Sequence, residues 1–428
     1  MTLSLATRAP ERREPPARRD AAVDLARSAS LVVVVLLHAL MVGVAAGAAG
    51  PVLENAMEHW PGFAALSWLV QVMPLFFVLG GFSSYTQWER MRGRGAGYGE
   101  YLGARVRRLF VPAAVAFGGV AVLLSALTLA GVPESLVAVA GFRMSQPLWF
   151  LGVYVLCTVG VPPMVALHRR APVLGLLAPV ALALAVDVVR VSTGVTGVGF
   201  ANLVFVWLAV QQLGFWLADG RVGALRPRTL LLVAAGAAAL LAGVCATGFW
   251  SFDMLANLNP PVSALVLLGA IQLALFAIVA PALRSAATRP GVEAVVAWIS
   301  ARPMTVYLWH MPVLIVLAGA LLVSGTTLPP ILSAEWWSSR PVWFAVVLIA
   351  VAGAVAVAGR IETAPARPDT APRVSPVAAV TGAVAGASGV VLTLVTGGSA
   401  AAWVVAAALA CTAPLIMRRT SISAAVSR

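Results

Sequence analysis

Lysine is absent from this 428-residue sequence, acidic residues number only 16, and charged residues of every kind make up 11%. Soluble globular proteins carry roughly 25% charged residues, so a soluble enzyme is excluded. Cysteine is scarce too. Cys157, Cys245 and Cys411 each lie inside an apolar run, which argues against a disulfide framework and offers no metal-ligand spacing, so no metal is expected. What the chain has in quantity is apolar sequence: 61% hydrophobic residues and a mean hydropathy of +0.94. Those values describe a polytopic membrane protein built from helices of about 20 residues. All 29 basic residues are arginine and the net charge is +13. In a lipid-embedded chain such an excess reports topology and contact with anionic lipid, and no nucleic-acid partner is expected.

Runs long enough to cross about 30 Å of hydrocarbon fall near 27–49, 63–85, 108–132, 147–167, 172–190, 199–218, 229–250, 261–283, 303–324, 341–359, 376–396 and 399–417. Backbone polar groups have no water partner in lipid, so each run is predicted to be a helix. The fold class is therefore all-α, a polytopic membrane bundle of about ten core transmembrane helices plus two appended at the C-terminus. The first run exceeds the 7–15 residues of a signal-peptide core and is read as a retained span. Arginine placement tests the count, because short cytoplasmic loops carry the basic excess. With the N-terminus inside, 26 of the 29 arginines fall in cytoplasmic segments and only Arg143, Arg190 and Arg340 fall outside. Both termini are thus expected in the cytoplasm, with the bundle in the cell membrane.

The stretch ETAPARPDTAPRVSP, rich in Pro and Ala, reads as a linker. It divides the chain into a cytoplasmic tail (1–19), a membrane domain (20–361), the linker (362–375), two further spans (376–417) and a second tail (418–428). The last pair holds no ionisable residue before Arg418. It reads as a packing hairpin without chemistry of its own.

Ionisable groups deep in a span are costly in lipid and mark candidate functional sites. His38 sits eleven residues beyond Arg27 in the first span, about 16 Å along the helix axis and, at 100° per residue, on nearly the same face. One helix face thus carries a cation at its mouth and an imidazole near the midplane, where a neutral ring can act as a general base toward a hydroxyl. Helix-packing histidines are the alternative. His310, in MTVYLWHMPVLIV of the ninth span, approaches the same cavity or packs helices. Trp149, which opens the fourth span, fits an aromatic belt at the external interface. In the second span Pro74, paired Phe residues and Gly80-Gly81 suit a kinked helix with close backbone approach. Arg105, Arg107 and Arg108 stand just before the third span, where guanidinium groups clamp phosphates or anchor lipid head groups. In the external loops Glu54, Glu58, His59, Asn257, Asn259, Glu335, Trp336 and Trp337 suit either the entry of a polar acceptor or an ordinary solvated rim.

Five family blocks and one further segment carry a resemblance. RDAAVDLARSASLVVVVLLH resembles the opening of the acyltransferase-3 family of integral membrane acyltransferases, with Asp24, Leu25, Arg27 and His38 on its pattern. MPLFFVLGGF is similar to the family's Phe-Phe-x-x-Ser-Gly-Phe block, except that Gly80 stands where Ser is usual. YLGARVRRLFVP matches the Arg-x-x-Arg entry to the third span through Arg105 and Arg108, and PLWFLGVYVL and VYLWHMPVLI resemble two further blocks. FVWLAVQQLGFWLADG resembles a segment of an actinobacterial branch. The resemblance implies a ten-span bundle that transfers an acyl group, commonly acetyl, from acyl-CoA to a hydroxyl of a glycan, glycolipid or small natural product. It implies that Arg27, Arg105 and Arg108 hold the CoA phosphates and that His38 serves the transfer. Acyl-CoA is then a donor substrate, and no permanently bound cofactor is expected. Two other readings compete. A twelve-span transporter agrees with the span count but lacks a long central loop, and an inactive membrane scaffold agrees with the departure at Gly80.

Overall fold

The computed structural model describes residues 20–47, 50–324, 326, 328–363 and 374–426. The tail 1–19 and the middle of the expected linker, 364–373, lie outside the described residues. Among those described, 12 helices are long and apolar enough to cross a membrane, and each coincides with one expected span. The protein is an all-α, multi-pass membrane bundle.

Helix α1 (Ala21–Met41) starts and ends earlier than the apolar run suggests. Asp20 caps it by accepting from the Ala22 amide at 2.9 Å and is clamped to Arg284 at 2.8 Å. Burial pushes the Asp20 carboxyl up, but the Arg284 hydrogen bond and the helix-start amides leave it below the usual carboxylate value. Past Met41 the Gly- and Val-rich sequence is poor helix former, and the chain departs from the expected span: β1 (Val42–Gly47) and β2 (Gly50–Asn55) form an antiparallel hairpin in the register Val42 to Asn55.

The second span is two helices, α2 (Phe63–Val70) and α3 (Met73–Gly93), interrupted just before Pro74. A break at membrane depth needs partners for its backbone. They come from Gln272 on α10 (Ala264–Ala287), whose side chain accepts from the Leu75 amide and donates to the Gln71 carbonyl, both at 2.8 Å. Helix α4 (Tyr98–Leu129) has 32 residues and is about 48 Å long. It outreaches the hydrocarbon, so its arginine-bearing start projects from it. An unexpected short helix, α5 (Glu134–Ser145), then leads through a 3-10 turn, Gln146–Leu148, into α6 (Trp149–Arg170).

Helices α7 (Pro172–Thr193), α8 (Asn202–Ala218), α9 (Pro227–Ala246) and α10 follow in alternating direction. Their ends opposite the arginine-rich face are tied together by Asp187. Its fully buried carboxylate accepts from Asn202 Nδ2 at 2.8 Å, Trp250 Nε1 at 3.1 Å and both the amide and the hydroxyl of Ser263. Helix α8 is central, with 61% of its apolar window buried against 17% for α13 (Ala334–Ala358), which faces outward. Helices α3 and α8 approach closely: a Cβ on Gly81 would strike the Gln211 carbonyl and one on Gly214 the Val78 carbonyl. Close approach was expected of the Gly80-Gly81 pair; Gly81 alone makes it.

A short helix, α11 (Pro290–Ala301), precedes α12 (Pro303–Val323) on the arginine-rich face. There Glu362 accepts from the Met304 and Thr305 amides and the Thr305 hydroxyl at 3.2, 2.9 and 2.7 Å. The first residue of the expected linker is thus a cap of the core. Helices α14 (Pro376–Val395) and α15 (Ala400–Val426) pack against each other and against α4. Gly382, Gly386 and Gly389 bring α14 onto Ala413, the Phe110 ring and Ala406, the small-residue packing that substitutes in lipid for a hydrophobic drive. Helix α15 continues beyond 417, where the sequence places its end.

Candidate active site

Two histidines meet in the centre of the bundle. His38 of α1 and His310 of α12 have ring centroids 5.0 Å apart. His38 Nδ1 lies 2.8 Å from the Val34 carbonyl and His310 Nδ1 lies 2.5 Å from the Tyr307 carbonyl. A carbonyl only accepts, so both Nδ1 atoms carry the proton and both Nε2 atoms keep a basic lone pair. His310 is fully buried and its Nε2 has no hydrogen-bond partner. A cavity lies on each side of this pair. Toward the hairpin, a cavity of about 40 Å³ is lined by His38, Val42, Asn55, Arg143, Gln146 and Met311, room for two or three waters. On the other side, a cavity of about 10 Å³ is lined by Phe117, Pro147, Tyr307, His310, Met311 and Trp403. Met311 borders both.

The arginines converge nearer the opposite face. Arg27 donates to Ser83 Oγ at 3.4 Å and lies 5.5 Å from the centre of the Phe76 ring. Arg105 is buried, lies over Tyr101, and like Arg27 has an unpartnered buried Nε. On the neighbouring α6, Tyr154 is half-buried and its ring lies 5.7 Å from Phe150 and 6.4 Å from Phe77. Arg107 and Arg108 are both exposed; around α4 Arg108 lies about 60° from Arg105, whereas Arg107 is turned about 200° from it and belongs to a different face. Asp24 lies one turn before Arg27 on α1. A Cβ on Gly80 would lie 3.8 Å from the Tyr154 ring, so the position where the family pattern has Ser faces this cluster. Aromatic rings link the two centres: Phe76 to Phe150 at 5.4 Å, Phe150 to Tyr307 at 5.0 Å, and Tyr307 to His310 at 6.3 Å.

Trp149 departs from the expected interfacial belt. Its ring stacks on Trp207 at 5.7 Å, and Trp207 stacks on Phe77 at 4.3 Å, because the turn at Gln146–Leu148 directs the start of α6 inward. In the loops Asn257 is buried and holds Ser251 through both its amide and its carbonyl, so it builds the loop and does not face a ligand. Glu58, His59, Asn259 and Glu335 are exposed. Trp336 and Trp337 pack with Trp60 and carry Arg340 over the Trp336 ring at 4.2 Å. The side chain of Glu54 lies outside those described.

The sequence pass missed Arg143, Tyr154 and Trp403, each brought in by a helix remote along the chain. It also missed His168, which spends both nitrogens: Nε2 donates to Asp219 at 3.0 Å and Nδ1 accepts from Gln212 at 2.9 Å. Asp219 is held in turn by Arg221 at 2.9 Å.

Two histidines thus lie between a cation cluster and a polar cavity in a bundle of membrane-spanning helices. Residues 20–359 match the model of the acyltransferase-3 family, described as an acyltransferase domain. The match runs from the cap of α1 to the end of α13, and the chain belongs to that family. It is a membrane acyltransferase. No curated protein and no solved structure matches the chain.

Proposed function

We propose that the protein is an O-acyltransferase that moves an acyl group, acetyl in the first instance, from acyl-CoA to a hydroxyl of a glycan, a glycolipid or a small natural product. The observation that carries this reading is the state of His38. Its Nδ1 is committed to Val34, its Nε2 is the basic atom, and the ring lines a cavity with space for a hydroxyl. In the transfer, His38 Nε2 takes the proton of the acceptor hydroxyl as that oxygen attacks the thioester carbon. The carbon–oxygen bond forms, the carbon–sulfur bond breaks, and the proton passes from the imidazolium to the CoA sulfur. The products are an ester and free CoA. General-base help of this kind is worth roughly 10²–10⁴ in rate.

Arg27, Arg105 and Arg108 hold the phosphates of CoA. The unpartnered buried Nε atoms of Arg27 and Arg105 favour an anion, and charge-assisted contacts are the strong ones. The pantetheine arm then follows the aromatic rings to His38, about 16 Å along α1 from Arg27. The arginine-rich face is the cytoplasmic one, both termini lie on it, and the bundle sits in the cell membrane, with Arg107 meeting anionic lipid. The acceptor arrives from the hairpin side, where Asn55, Arg143 and Gln146 provide polar contacts.

The test uses the full chain in lipid nanodiscs with radiolabelled acetyl-CoA and a membrane extract as acceptor source. Label should move into the extract with release of one CoA per ester. A protein that neither binds CoA nor releases it from the thioester is no transferase, and a scaffold or transporter would then take this reading's place.

A further inference from the structure

Trp403 lies beyond the stretch shared with the family, which stops at residue 359, yet it forms part of the wall of the cavity beside His310. It stands in the first turn of α15, directly after a turn in which Gly397 and Gly398 take φ of +66° and +70°. That turn is pinned, because Gly398 abuts the backbone of Gly141 on α5. Helix α5 in turn supplies Met144 to the same cavity, and the following turn supplies Pro147. Trp403 is 2% exposed and meets Phe117 edge-on at 5.3 Å. The end of the cavity is therefore two large rings fixed by close backbone contacts.

Apart from the His310 ring and the Tyr307 hydroxyl, which is itself engaged with the Pro147 carbonyl at 2.8 Å, this cavity is bordered by apolar side chains and ring faces. Two buried nitrogens on its border, His310 Nε2 and Trp403 Nε1, have no hydrogen-bond partner. With about 10 Å³ of space, the cavity has room for roughly one water-sized group, such as a methyl. The polar cavity on the other side of the histidines is unsuited to that end of the donor.

The geometry points to the cavity at His310 as the acyl pocket, with Trp403 of the appended hairpin as the residue that limits the acyl group to two carbons. This rests on the reading of the protein as an acyl-CoA-dependent transferase. The transfer step is unchanged: the thioester carbon accepts the hydroxyl oxygen, CoA leaves as the thiol, and the acyl tail alone occupies the pocket. A closed pocket discriminates one extra methylene by about 10–200-fold.

The experiment compares CoA release from acetyl-, propionyl- and butyryl-CoA by the full chain in nanodiscs, with a membrane extract supplying acceptor. The wild type should favour acetyl over propionyl by at least about tenfold. Trp403→Ala should bring the two rates within about threefold and admit butyryl. Trp403→Leu keeps an apolar side chain in the helix interface and should shift the preference in the same direction if the alanine protein does not insert. Phe117→Leu widens the same end from α4 and should do likewise. Val404→Ala, on the exposed side of α15, should keep the wild-type preference. Unchanged acetyl preference in the Trp403 and Phe117 variants overturns the pocket assignment alone. A wild type that releases CoA from none of the three thioesters overturns the transferase reading, and the pocket with it.

Discussion

The bundle buries two histidine centres, and they differ in what their ring nitrogens do. At His168 a carboxylate takes one nitrogen and an amide the other, so the ring is a bolt between α6 and the end of α8. At His38 and His310 the helix's own carbonyl takes Nδ1 and leaves Nε2 to whatever enters. The first centre is closed by neighbours with nothing left to give. The second lies between two cavities. Burial alone therefore does not mark a histidine for chemistry in a membrane; the count of committed nitrogens does.

The comparison breaks most visibly at His38. Replacing it by Ala or Asn should reduce acyl transfer by about 10²–10⁴-fold while the protein still inserts and elutes as a single species. Asparagine keeps a hydrogen bond but offers no basic nitrogen, so a near-normal turnover in that variant would assign His38 to packing. A smaller effect is expected at the cation cluster. Arg27→Lys, Arg105→Lys and Arg108→Lys should each raise the KM for acetyl-CoA by about tenfold, since charge survives but the planar fork does not. Arg107→Ala should leave KM unchanged, and equal losses at all four positions would point to surface potential. At the bolt, His168→Ala should leave turnover within about twofold and lower stability in detergent by about 1–3 kcal/mol, the cost of stranding buried partners. Loss of transfer with stability intact would erase the distinction between the two centres. The smallest change is expected for Gly80→Ser, which has room beside Tyr154 and should stay within about 0.5 kcal/mol in thermal unfolding.

The spans were legible because lipid allows only helices or closed barrels, and apolar runs of about 20 residues are the length of a spanning helix. Arg27 and His38 were legible as one face because both lie on one helix whose period is fixed, and the same period joins Arg105 to Arg108 and separates Arg107. The end of α1 was not, because VGVAAG is apolar enough to pass for a span while being poor helix. Nor could local pattern reveal that Tyr154 lies beside Gly80 or that Arg143 reaches the His38 cavity, since those neighbours come from other helices. A signal did exist for Asp187 and Gln272, each a lone strongly polar group in an apolar span. One existed for Trp403 as well, the only aromatic residue in the last two spans. The absence of charge there reads as a hairpin without chemistry; on the proposal above, an acyl tail would ask this wall only for shape.

The interruption between α2 and α3 has a consequence in time. Its backbone partner, Gln272, lies 201 residues further along the chain from Gln71, and chains are made from the N-terminus onward. While the early spans enter the bilayer, the Leu75 amide and the Gln71 carbonyl have no partner from α10, and each such group left bare in hydrocarbon costs several kcal/mol. The break between α2 and α3 therefore gains these two partners only once the eighth span has been synthesised, and Gln272→Leu would leave both groups without them.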